Sequence, residues 1–208
     1  MDIATIVMGP LQTNCYLVSD AGQAIVIDPA GQAGPIVARL LQDKLKLTHI
    51  LLTHLHFDHI YGVRSLNFIT DAPVYACFRD NPLMETPYGK GGMWGMPAVE
   101  PFTFANLDEG DIPLLNTTCK VLFTPGHTRG SLSFYMPSAA AIFCGDTLMR
   151  GSIGRTDFPG ADSAILRKSI ENRLFPLPGE TVAYPGHGSS TTIGHERLHN
   201  PLFTDSKL

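Results

Sequence analysis

The chain has 208 residues, 44% of them hydrophobic, and a formal net charge of −4. That length and composition suit one large globular domain, 1–208, with a sizeable core. Its 15 basic residues are scattered, which argues against a nucleic-acid patch or a face for anionic membrane. No stretch is long enough to span a bilayer.

The opening third alternates short apolar runs with turn residues. Ile3 to Met8, Cys15 to Ser19 and Ala24 to Asp28 are expected strands, separated by Gly9-Pro10 and Ala21-Gly22. Pro35 opens a helix at its first position, with Ile36, Val37, Leu40 and Leu41 as its apolar stripe. Leu47 to Thr53 predicts a strand, Asp58 to Phe68 a helix, and Pro73 to Cys77 another strand.

Residues 82–101 break this pattern. Prolines and glycines surround Tyr88, Lys90, Met93, Trp94 and Met96, and neither periodicity survives. A long loop is expected, either covering a site or plugging the core with its apolar side chains. Strands resume at Cys119 to Thr124, Ser131 to Met136 and Ala140 to Cys144. A helix capped by Asp162 or Ser163 runs from Ala164 to Leu174. Thr181 to Tyr184 is a last strand and Thr192 to His199 a last helix, stopped by Asn200-Pro201. Each half shows strands followed by a helix, a pattern compatible with a duplicated unit.

The four cysteines, Cys15, Cys77, Cys119 and Cys144, contain no C-x-x-C pair and sit in or beside apolar runs. They read as reduced core thiols. Met1-Asp2-Ile3 lacks the basic flank and apolar core of a signal peptide. Both features favour a cytoplasmic location.

One pattern recurs four times. An apolar strand ends, a few permissive residues follow, and a metal-ligand type comes next. Leu51-Leu52-Thr53 leads into His54-Leu55-His56-Phe57-Asp58-His59. Thr124-Pro125-Gly126 leads to His127, Cys144-Gly145 to Asp146, and Tyr184-Pro185-Gly186 to His187. Open sheets gather their sites at strand carboxyl ends. Imidazoles this dense would repel one another if protonated, and a bound cation removes that problem.

This arrangement closely resembles the metallo-β-lactamase-fold hydrolases, over nearly the whole chain. The resemblance implies an α/β (α+β) fold, a four-layer αββα sandwich with a binuclear metal site. Two segments narrow the likeness to glyoxalase II, the hydroxyacylglutathione hydrolases, in a short form. They are Gly151-Ser152-Ile153-Gly154-Arg155-Thr156-Asp157-Phe158-Pro159 and the tail from Thr191-Thr192-Ile193-Gly194-His195 to Asn200-Pro201. Carried over residue by residue, the resemblance gives one metal to His54, His56 and His127. It gives a second to Asp58, His59 and His187, with Asp146 bridging. Zinc is the default expectation, and iron or manganese suits the same donors.

In that family a metal-bound hydroxide attacks the substrate carbonyl, and Asp58 would orient it as the catalytic carboxylate. With both aspartates and hydroxide counted, the site keeps a charge of about +1. A thioester fits, because its thiolate leaves without a strong general acid. The expected substrate class is therefore a small-molecule thioester, S-lactoylglutathione or a relative. Long-form glyoxalase II carries a helical C-terminal domain with glutathione contacts that has no counterpart here, which widens the expected substrate range. Arg155 is a candidate for a substrate carboxylate or for an ion pair with Asp157. Tyr88, Lys90 and Trp94 are candidate pocket residues.

Two alternatives share the cluster. A persulfide dioxygenase would hold one iron on His54, His127 and Asp146. A lactonase would use the same metal set. His195-Glu196-Arg197-Leu198-His199 also matches the H-E-x-x-H helix of zinc proteases. Pro201 stops that helix two residues later, and the segment reads instead as packing and capping. The sequence leaves the oligomeric state open.

Overall fold

The structure, a computed structural model, describes residues 1–93 and 95–204. It divides into two compact units. The first is Met1–Leu107 with Pro113–Asn116, and the second is Asp108–Ile112 with the chain from Thr117 onward.

In the first unit, β1 (Asp2–Met8), β2 (Thr13–Asp20) and β3 (Gln23–Ile27) pair antiparallel in succession. Ala21 and Gly22 both have positive φ, 47° and 79°. That is the backbone of a two-residue hairpin turn whose twist matches the strands. Helix α1 (Gly34–Gln42) then carries the chain over to β4 (Lys46–Leu51), which pairs parallel with β3. Parallel neighbours need such a crossover. Helices α2 (Phe57–Ile60) and α3 (Val63–Thr70) precede β5 (Val74–Ala76). A 3₁₀ segment (Phe78–Glu85) and α4 (Pro87–Lys90) precede β6 (Ala105–Asn106), and the sheet runs β1 to β6 in order.

Alternate residues along β2 to β5 join one buried cluster: Cys15 and Leu17, Ala24 and Val26, Ile50 with Leu52 just past β4, and Val74 and Ala76. Ile36 and Leu40 of α1 and Val63 and Leu66 of α3 complete it. The period of two in the strands meets the 3.6 period of the helices, as the side-chain directions require. Full burial of each such aliphatic side chain contributes about 1.5–3 kcal/mol.

The second unit repeats the wiring. Its sheet holds β7 (Gly110–Leu114), β8 (Thr117–Phe123), β9 (Leu132–Met136) and β10 (Ala141–Gly145). A small hairpin, β11 (Leu148–Met149) and β12 (Ser152–Ile153), follows. Helix α5 (Ser163–Ser169) leads to β13 (Val182–Pro185), then β14 (Thr191–Thr192), α6 (Ile193–His199) and α7 (Pro201–Thr204). The order is β14-β13-β10-β9-β8-β7. As in the first unit, two antiparallel pairings (β8·β9, β9·β10) lead to a parallel one (β10·β13) across a helix. The repeated strand–helix pattern of the sequence thus corresponds to a repeated topology. Ile142, Cys144, Leu166, Ile170, Leu174, Ala183 and Ile193 form this unit's core.

The structure departs from the sequence expectation in three places. The helix expected over Asp58 to Phe68 is two helices, broken at Tyr61-Gly62. Gly62 N donates to Pro29 O at 2.7 Å, and a Cβ there would lie 2.0 Å from Gly31 O. The chain bends so that two backbones can touch. The helix from Ala164 becomes α5 followed by a single π turn, Ile170–Leu174, and its start is capped by Asp162 Oδ1 accepting from Ile165 N at 2.9 Å.

The segment expected as a loop over 82–101 contains the end of the 3₁₀ helix and α4. Thr86 caps α4 by accepting from Tyr88 N. Gly91 bridges Ala98, and Val99 N donates to Lys90 O at 2.8 Å. Leu83, Met84, Val99, Phe102 and Phe104 pack against the first unit's core. Among the described residues, no helix is long and apolar enough to cross a membrane. The four cysteines are buried thiols. Burial pushes Cys119 and Cys144 up to about 12, and raises Cys15 with help from the nearby Asp28 charge.

Candidate metal centre

The first unit assembles its donors on one short stretch. Ile50, Leu51 and Leu52 are fully buried and anchor the end of β4. The chain then passes through Thr53 into His54, His56 and the first turn of α2, which carries Asp58 and His59. All four are buried. The His54 ring centroid lies 4.8 Å from that of His56 and 4.1 Å from that of His59.

His54, Asp58 and His59 are held from behind. Asp28, just past β3 with a left-handed φ of 51°, accepts from Thr53 N at 2.8 Å and from Thr53 Oγ1 at 2.6 Å. The same carboxylate meets His59 Nδ1 at 2.9 Å. Aspartate tolerates that backbone better than most residues. Thr53 Oγ1 also lies 3.0 Å from His54 Nδ1. Thr13 of β2 donates to Asp58 Oδ2 at 2.9 Å. Asp80 Oδ2 accepts from Leu55 N, between the first two histidines.

The second unit collects three donors from three strand ends. His127 follows β8, Asp146 follows β10 and His187 follows β13. Asp146 Oδ2 stands 3.5 Å from His127 Nε2 and 3.7 Å from His187 Nε2. Gly186 N donates to Gly145 O at 2.8 Å and ties the last two segments together. His127 Nδ1 meets Arg155 O at 2.7 Å. Two glycines make room. At Gly126 (φ 133°) a Cβ would lie 2.2 Å from Leu166 N, and at Gly154 it would lie 1.8 Å from Asp146 O. His187, at 28% side-chain exposure, is the most open of the three.

These donor sets fit divalent metal within each unit. His59 Nε2 and Asp58 Oδ2 are 3.7 Å apart. Like the two contacts to Asp146 Oδ2, this is long for a hydrogen bond. It is close to the roughly 3.4 Å edge between two tetrahedral donors about 2.1 Å from one ion. The backing contacts fix which ring nitrogen faces forward. An imidazole whose Nδ1–H goes to a carboxylate or carbonyl presents Nε2 as a lone pair. Asp28 does this for His59, and Arg155 O does it for His127.

The remaining sequence candidates fall as follows. Tyr88 on α4 has its ring centroid 6.5 Å from that of His56. Lys90 pairs with Glu85 at 3.0 Å. Arg155 makes two bonds to Asp157, at 2.9 and 2.7 Å, and covers the Phe158 ring at 4.4 Å. The pair holds the Asp157 carboxyl below its ordinary range. Trp94 lies outside the described residues. Sequence reasoning missed Asp28, Thr13, Thr53 and Asp80. Only Asp28 left a trace, as a charged residue ending an apolar strand.

Comparison with known proteins gives a consistent picture. The model of the family described as the metallo-beta-lactamase superfamily matches residues 8–187. The hydroxyacylglutathione hydrolase GloC of Haemophilus influenzae is 34% identical, over 100% of both chains. Among solved structures, the BLEG-1 B3 metallo-beta-lactamase superposes with a TM-score of 0.90 at 38% identity, covering 98% of this chain and 100% of that one. TTHA1623 in a di-iron-bound form gives 0.87 at 40%, covering 96% and 99%.

Proposed function

The chain belongs to the metallo-beta-lactamase superfamily, and from that premise we propose that it is a binuclear metallohydrolase of thioesters, of the hydroxyacylglutathione hydrolase type. The observation that carries the reading is the pair of backed donor sets, one in each unit. In this reading the two units act as one catalytic domain. His54, His56 and His127 would hold one ion and Asp58, His59 and His187 the other, with Asp146 serving the same centre. The full-length likeness to GloC supports the substrate class. Zinc is our assignment. The di-iron form of TTHA1623 makes iron the strongest competitor, since both metals accept imidazole and carboxylate.

When bound, two divalent ions supply a water acidified to a pKa of about 7 and a positive field for the substrate carbonyl. The chain's own residues do the rest. Asp58 orients the water, and Thr13 keeps the Asp58 carboxylate from rotating. Asp28 and Arg155 O hold the His59 and His127 rings so that neither swings when substrate arrives. A thiolate whose conjugate acid titrates near 8.5 departs without a protonating side chain. The positive site favours anionic or carbonyl-rich small molecules, glutathione thioesters among them. Tyr88 and Arg155 are the side chains we assign to contact them, and the buried thiols suit a cytoplasmic setting.

The test is metal content by mass spectrometry on the same sample assayed with S-lactoylglutathione. Two metals per chain with thioester turnover are expected. One iron per chain with oxygen consumption on glutathione persulfide would replace the reading with a dioxygenase. Turnover of a lactone or a β-lactam in place of the thioester would keep the metal centre and overturn the substrate.

A further inference from the structure

The tail segment His195-Glu196-Arg197-Leu198-His199 forms α6. His195 and His199 lie on its exposed side, with ring centroids 5.0 Å apart. Glu196 is fully buried. A buried carboxylate is tolerable only if its oxygens are satisfied. Three neutral donors do this. Thr191 Oγ1 donates to Oε1 at 2.6 Å, Gly151 N to Oε2 at 2.9 Å, and Asn200 Nδ2 to Oε2 at 2.8 Å.

Those partners sit on the two segments that reach the second unit's donors. Gly151 is in the turn between β11 and β12. Three residues on, Gly154 passes against Asp146 O, and Arg155 O then holds His127 Nδ1. Asn200 Nδ2 pins the same hairpin through Ser152 O at 3.1 Å. Thr191 opens β14 and pairs opposite Ala183 of β13, so it closes the loop that carries His187. The near end of that loop is tied by Gly186 N to Gly145 O. One carboxylate therefore braces the hairpin behind His127 and the far end of the His187 loop.

We infer that Glu196 is a positioning residue for the metal centre, acting on His127 through Gly151 and on His187 through Thr191; this rests on the metal-centre reading above. It touches neither metal nor substrate. Contacts made directly to a ligating group typically change metal affinity by about 10–100-fold when removed; Glu196 acts one step further out, so the low end of that range is expected.

The test compares Glu196→Ala and Glu196→Gln in the full chain. Glutamine can keep the bonds, with Oε1 accepting from Gly151 and Asn200 and its amide donating to Thr191. Cobalt(II) binding is followed by its visible absorption, and the His127 Nδ1–H resonance by nitrogen-15 histidine spectra of the metal-free protein. E196A should bind cobalt about tenfold more weakly, the low end for outer contacts, and shift the His127 resonance, while E196Q stays near wild type. The control is Ile170→Ala, a core change that leaves these bonds intact and should leave both readouts near wild type. If E196A behaves like I170A in both readouts, the inference is overturned. If E196A does not fold, Thr191→Val removes one of the three donors and supplies the same comparison. Failure of the wild-type chain to take up cobalt would sink the metal-centre reading, and the metal-free His127 resonance would still decide whether Glu196 braces that ring.

Discussion

The two units share one wiring and deliver their donors in opposite ways. The first packs His54, His56, Asp58 and His59 into six consecutive residues and backs them with side chains: Asp28, Thr13 and Thr53. The second draws His127, Asp146 and His187 from three strand ends and backs them with main chain: Arg155 O, Gly186 N and the cramped backbone at Gly154. A contiguous cluster gets its relative geometry from one short run of chain that ends in the first turn of α2, so it needs mainly rotamer control. A dispersed one must have its loops fixed first, and loops are fixed most cheaply by hydrogen bonds to backbone. The first unit should therefore be sensitive to polar substitutions at residues touching its donors, and the second to changes that free its loops, at glycines and at the Glu196 brace.

The largest effect that would sharpen this contrast is at Asp58. Asp58→Ala should lower the proposed thioester turnover by about 10²–10⁴-fold, the usual worth of a positioned acid–base group. Steady-state kinetics on folded protein would show it, and near-wild-type turnover would remove Asp58 from the mechanism. Asp28→Asn comes next. Asparagine keeps the size and tolerates the left-handed backbone. Its amide no longer serves two N–H and O–H donors and an imidazole together, so metal affinity should fall about 10–100-fold in a chelator competition.

Gly154→Ala probes the other unit. A methyl group 1.8 Å from Asp146 O forces the backbone apart, at a cost of about 1–3 kcal/mol or more. Thermal unfolding should fall by several degrees, with metal retention lost alongside. If Gly154→Ala is silent and Asp28→Asn equally so, the contrast between side-chain and main-chain backing is wrong. The smallest effect is expected at Arg155→Ala. Its guanidinium pairs with Asp157 in the open, where ion pairs contribute little. The brace on His127 is the carbonyl, which alanine keeps. Tm should not move, and a raised KM alone would mark the side chain as a substrate contact.

Much of this was legible along the chain. The strand ends announced themselves because apolar runs stop at Gly or Pro before a ligand-type residue, as at Pro125-Gly126-His127 and Pro185-Gly186-His187. Local chemistry narrowed the cap of α5 to Asp162 or Ser163, and the structure uses Asp162. What escaped notice depends on partners far off in sequence. Asp28 and His59 are 31 residues apart, and Glu196 and Gly151 are 45. No local pattern encodes either pair. The break at Gly62 was equally hidden, since its cause is the backbone of Pro29 and Gly31. In the segment beginning at residue 82, proline and glycine suggested irregularity, whereas Thr86 capping and tertiary packing produced short helices.

The four buried thiols give the molecule an internal clock. An alkylating reagent at neutral pH meets no surface cysteine, so the rate at which it labels Cys15, Cys77, Cys119 and Cys144 reports how often the interior opens. Folded Cys119 keeps its proton up to about 12, while its unfolded counterpart loses it near the ordinary thiol value of 9.0. Alkali between those limits pulls the chain toward the unfolded state. Labelling should accelerate through that window, and loading the protein with divalent metal should slow it by the amount that binding stabilises the closed form.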